Sequence, residues 1–109
     1  PDELMGKYAG NKDIFITRIN GNSMNKVMPD GSLIVVKPVE SINQLKNGDI
    51  IVFSHNHEYS VKRFYQYDDI IVFLPDSDDI RFSELRLPKN EIENLQIHGK
   101  VVLYIVELD

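Results

Sequence analysis

The chain has 109 residues, with 12 Lys and Arg against 17 Asp and Glu, a formal net charge of −5 and no cysteine. That length fits one domain with a modest core, and the acidic balance argues against this chain gripping nucleic acid itself. The lack of cysteine excludes a thiol nucleophile, a disulfide scaffold and a zinc–thiolate site, and the sequence holds no ~18-residue apolar run for a transmembrane helix and no signal-peptide pattern.

Residues 1–13 are polar and mixed, and they read as an N-terminal arm or linker remnant. Residues 14–109 read as the folded domain. Ile14 to Ile19 is β-rich and partly alternating. Met24 to Met28 fits one helical turn, stopped by Pro29. Asp30-Gly31 signals a turn before a strand over Leu33 to Val36, which Pro38 ends. Residues 39–47 read as loop with one helical turn at Ile42 to Leu45. Asp49 to Phe53 and Glu58 to Tyr65 form a predicted hairpin across His55-Asn56-His57. Asp68-Asp69 turns the chain into Ile70 to Leu74. Residues 75–90 are an acidic, irregular loop with a short strand at Leu85 to Leu87. Ile92 to Gly99 leads into a last strand over Lys100 to Glu107, rich in β-formers. Short strands between turn signals predict an all-β fold with one or two short helical turns.

Two residues stand out chemically. Ser23 follows a strand and Gly21-Asn22, and Lys62 is flanked by Tyr59, Val61, Phe64 and Tyr65. Their ordinary readings are a turn serine and a solvated strand lysine. The reactive reading is a hydroxyl activated by an amine. Serine needs a base to take its proton, and lysine serves only if burial populates its neutral form, well below the ordinary pKa of ~10.4.

Five blocks, in order, carry a family resemblance: Gly21-Asn22-Ser23-Met24 with Pro29-Asp30-Gly31-Ser32; Asn47-Gly48-Asp49-Ile50-Ile51-Val52; Val61-Lys62-Arg63-Phe64-Tyr65; Ile71-Val72-Phe73-Leu74-Pro75; and His98-Gly99-Lys100-Val101-Val102. Across residues 14–108 the chain resembles the LexA-like self-cleaving repressors, with serine and lysine 39 positions apart. The resemblance implies a LexA/signal-peptidase-like β fold, Ser23 as nucleophile and Lys62 as general base. The backbone amides of Ser23 and Asn22 would face the oxyanion, each such donor being worth roughly 2.7–4 kcal/mol. It further implies a cytoplasmic SOS-type repressor domain, of phage or prophage kind, that dimerises. Self-cleavage would be stimulated by a RecA-type filament. DNA would be held only through an N-terminal domain missing from this sequence, as Pro1 in place of Met also suggests. No cofactor or metal is implied, and no membrane.

Family members often cut their own chain at Ala-Gly, and Ala9-Gly10 matches. Only 12 residues separate Gly10 from Ser23. Six of them belong to a predicted strand ~20 Å long at ~3.3 Å per residue, which carries Gly10 away. A cleavage segment N-terminal to Pro1 is the preferred expectation, with Ala9-Gly10 as the alternative. Two other functions fit the same blocks: a non-cleaving oligomerisation module that docks an antirepressor, and a UmuD-like polymerase subunit.

The remaining features read as structural. His55-Asn56-His57 is a solvated turn lacking further metal ligands. Asp76-Ser77-Asp78-Asp79 lacks the Gly and Glu of a calcium loop. Tyr59, Phe64, Tyr65 and Tyr67 are packing residues. Gly99 to Leu108 is apolar on both faces, so an edge strand there predicts a homodimer contact, or else burial beneath the 75–90 loop.

Overall fold

The computed structural model describes residues 13–107. The strands are β1 (Phe15–Arg18), β2 (Leu33–Lys37), β3 (Ile50–His55), β4 (Glu58–Tyr67), β5 (Ile70–Leu74), β6 (Leu85–Pro88) and β7 (Leu95–Ile105). They form one sheet in the order β1-β2-β7-β3-β4-β5-β6, with every neighbouring pair antiparallel. The fold is all-β, as the spacing of turns and β-formers predicts. The β3–β4 hairpin turns on Asn56 and His57, both with positive φ (51° and 69°). That geometry matches the right-handed twist of the strands it joins. Of the two predicted helical turns, Ile42–Gln44 is a 3₁₀ turn capped by Ser41. The other closes with Met28 N–H donating to Met24 O at 2.8 Å.

Alternation along the strands divides the core in two. Ile51, Phe53, Phe64, Ile71 and Phe73 pack on one side with Leu45 and Leu87. Phe53 and Phe73 stack there with ring centroids 3.9 Å apart. Val52, one residue out of phase, joins Ile19, Met24, Met28, Ile34 and Val36 in the second cluster. Met24 and Met28 are almost wholly buried, and burying each is worth roughly 1.5–3 kcal/mol. This second cluster fastens the turn that carries Ser23.

Two expectations need correction. The last strand starts at Leu95, not Lys100, because Leu95, Gln96 and Ile97 already pair with β3. Polar Gln96 and His98 break the apolar run that would have announced it. The same strand is not an edge: β2 and β3 flank it on its two sides. The acidic loop after β5 reaches the Ser23 turn, and its Leu85 and Leu87 share a hydrophobic cluster with Leu95 and Ile97 of β7. The loop's Asp76 N–H donates to Ser23 O (2.8 Å), and its Asp76 O accepts from Lys26 N–H (3.1 Å). Tyr104 and Val106 remain 43% and 44% exposed at the end of the C-terminal strand. Residues 1–12, with Ala9-Gly10, and Leu108 lie outside the described residues.

Candidate active site

A cleft of about 750 Å³ runs along β1, the Ser23 turn and the start of β4, and both Ser23 and Lys62 line it. Ser23 leads the Met24–Met28 turn, whose two methionines are buried in the second core cluster. Gly21, with φ of 117°, lets the chain bend sharply before the serine. Asp30 holds that bend by accepting from Gly21 N–H at 2.8 Å. Ser23 Oγ donates to the carbonyl of Val61 at 3.3 Å. Val61 directly precedes Lys62, so the hydroxyl meets the lysine's own strand. The amides of Asn22 and Ser23 donate no hydrogen bond among the described residues.

Lys62 is half-buried on β4 opposite Ile51 of β3. Its ammonium makes no hydrogen bond or ion pair among the described residues. Burial pushes its pKa below the ordinary lysine value, and the Glu58 carboxylate opposes that shift. Glu58 lies four residues back on the same strand, on the same face. The two border a smaller hollow on that face.

A strut joins the two reactive elements. Arg63 Nε donates to Asp76 Oδ2 at 3.1 Å, and Arg63 Nη1 donates to Gly48 O at 2.7 Å. Asp76 in turn holds both Ser23 O and Lys26 N–H through its backbone. The residue after Lys62 is therefore tied to the residue that clamps the serine turn. Nearby, Asn25 Nδ2 donates to Asp78 Oδ1, and Arg81 pairs with Asp79. The carboxylates of the acidic loop are thus engaged by protein partners. His55 and His57 sit at the β3–β4 turn, away from the cleft lining.

Ser23 and Lys62, the pair that the sequence nominates, line one cleft, and no hydrogen bond joins their side chains. The sequence alone assigned no role to Asp76, Glu58 or His98. The four-residue spacing of Glu58 and Lys62 on a predicted strand was the available signal for one of them. The Asp76 clamp and the place of His98 depend on contacts far apart in the chain.

A family model described as Peptidase S24-like matches residues 2–102, and the chain belongs to that family. It is therefore a member of a serine-peptidase family. Among curated proteins it is similar to the LexA repressor of Exiguobacterium sibiricum, with 31% identity over 101 residues covering 91% of this chain and 45% of that protein. It is also similar to the LexA repressor of Koribacter versatilis, at 26% identity over 90% of this chain and 44% of that protein. The LexA repressor of Lacticaseibacillus casei is 38% identical over 82 residues, covering 73% of this chain and 36% of that protein. The chain thus spans less than half the length of these relatives.

Glu58→Gln should move the pH dependence of Ser23 reactivity to lower pH. Glu58 favours the ammonium form of Lys62, so removing its charge leaves the neutral base populated at more acidic pH. The check is the midpoint of the rate–pH curve for Ser23 acylation, compared between the two proteins. An unmoved midpoint would mean that Glu58 does not tune the lysine.

Proposed function

We propose that this domain is a Ser–Lys endopeptidase that cuts a segment of its own longer polypeptide, as the regulatory and dimerising part of a LexA-like cytoplasmic repressor. The observation that carries the reading is the shared cleft: Ser23 and a partly desolvated Lys62, unpaired among the described residues, line it together. In the reaction, neutral Lys62 Nζ takes the proton from Ser23 Oγ as the oxygen attacks the scissile carbonyl. The amides of Ser23 and Asn22 stabilise the resulting oxyanion. The Lys62 ammonium then returns the proton to the leaving amine, giving an acyl-enzyme on Ser23. Water, deprotonated by the same lysine, hydrolyses that ester and regenerates the serine. RecA-type stimulation and DNA binding by a further domain are parts of this reading that rest on likeness to the family. The homodimer rests on that likeness and on the exposed Tyr104 and Val106.

One observation favours a second reading, a non-cleaving oligomerisation module. The Ser23 hydroxyl donates to Val61 O, a resting contact without the lysine. Reaction with a fluorophosphonate separates the two. An active dyad should add one phosphonyl group to the chain, seen by intact mass and mapped to Ser23, and Ser23→Ala should remain unmodified. A wild-type chain that stays unlabelled up to pH 10 would leave only the oligomerisation module.

A further inference from the structure

The cleft continues past Ser23 to a cluster that the proposed reaction does not use. His98 Nε2 lies 3.0 Å from Ser54 Oγ, and its ring stacks on Tyr59 with centroids 4.8 Å apart. Ser54 is 7% exposed, whereas Tyr59 is 72% exposed. Both His98 and Tyr59 line the cleft.

A bulge places the histidine there. On β7, Gly99 pairs with Val52 and Ile97 with Phe53, so His98 is the extra residue of the ladder. A β-bulge of this kind re-aims the side chain it carries. Gly99 permits the close approach behind it: an ideal Cβ would lie 2.5 Å from Val36 Cγ1 and 2.7 Å from Lys37 O.

The neighbouring backbone is open. β5 pairs with β4 only from Arg63 to Tyr67, so among the described residues no strand flanks Glu58 to Lys62 on that side. The Val61 carbonyl faces Ser23 on that side. By the alternation of an antiparallel ladder, the backbone of Tyr59 faces the same way. An extended peptide added along this edge would place one residue beside Val61, at Ser23. The residue two positions away would lie beside Tyr59, its side chain on the same face of the sheet as the stacked Tyr59 and His98 rings.

The charge of the cleft indicates which side chain fits. In a chain with 17 Asp and Glu, none lines this cleft among the described residues, whereas Arg18, Lys62 and His98 do. If Ser54 Oγ–H donates to Nε2, the histidine keeps its proton on Nδ1. That atom has no partner among the described residues, and the residue lines the cleft.

We propose that His98, set by Ser54 and Tyr59 on the β7 bulge, is a specificity-determining residue that selects an Asp or Glu side chain two residues from the residue whose carbonyl Ser23 attacks. The proposal rests on the peptidase reading for the register of the peptide, and its test is made on binding so that the two fail separately. The protein is Ser23→Ala, which cannot turn over. The probes are fluorescein-labelled decapeptides centred on Ala-Gly, with Glu, Gln or Lys placed two residues before or two residues after the Ala. Anisotropy should show the Glu peptide binding about tenfold more tightly than the Gln peptide in one of the two placements, the size expected of one hydrogen bond to a charged group. Lys should bind more weakly than Gln. Adding His98→Gln should bring the Glu and Gln peptides to equal affinity, and His98→Asn should do the same, with folding of both variants verified by melting. Equal binding of all three peptides, no binding of any, or a Glu preference that survives both substitutions overturns the assignment. Fluorophosphonate labelling of the wild-type chain reports independently on the peptidase reading.

Discussion

Lys62→Arg is expected to suppress cleavage by roughly 10²–10⁴-fold at every pH from 6 to 10, the range general-base catalysis contributes. Guanidinium keeps the positive charge and much of the length of the side chain but does not deprotonate in this range. Loss of a base is therefore separated from loss of a charge. In the wild-type protein, with its cleavage segment present, the rate should rise from neutral to alkaline pH. The sign follows from Lys62 itself. Only its neutral form accepts a proton, and that form grows as pH rises through a pKa that burial has brought below the ordinary lysine value. Ser23→Ala should be inactive throughout. Gel or mass analysis of cleavage products against time gives the rates. Undiminished cleavage by Lys62→Arg would mean that another group is the base, and the dyad would have to be abandoned.

Gly99→Ala should destabilise the domain by about 1–3 kcal/mol, the usual cost of forcing extra volume into a packed site. The added methyl would meet Val36 Cγ1 at 2.5 Å and the Lys37 carbonyl at 2.7 Å. The first is a side chain and can be trimmed; the second is backbone and cannot. Adding Val36→Ala to Gly99→Ala should therefore recover only part of what the double change would cost if the sites were independent, a coupling readable from a double-mutant cycle. Thermal melts suffice for detection, because 1 kcal/mol shifts the midpoint by roughly 4–8 °C in a domain of this size. A Gly99→Ala protein as stable as wild type would show that β2 and β7 can separate without cost at the bulge.

The strands were largely legible because their residues are β-branched or aromatic and their boundaries carry turn chemistry. Asp30-Gly31 and the Asn56-His57 turn each mark a reversal, and Pro38 ends β2, by local backbone preference. Ser23 and Lys62 were legible for another reason: their neighbours form ordered blocks that resemble a family, and the family model spans nearly the whole chain. The beginning of β7 was not legible, since Gln96 and His98 interrupt its apolar pattern and only pairing with β3 makes that stretch a strand. Its place at the centre of the sheet was equally hidden. An apolar strand at the end of a chain reads the same whether it has one neighbour or two.

The active elements divide along the same line. Residue type and local order were enough to nominate a hydroxyl and an amine, because nucleophilicity and basicity belong to the side chains themselves. Whether the amine is desolvated depends on what folds around it, and here that is the packing of β3, β4 and the loops beside them. The Arg63–Asp76 strut joins positions 13 residues apart, and the His98–Ser54 contact joins positions 44 apart. Neither has a local signature, because each depends on which strands become neighbours. Side-chain chemistry and turn preference are short-range properties and can be read from the chain. Sheet order, burial of Lys62 and the aim of a bulged histidine are long-range consequences of packing, and the tertiary structure alone decides them.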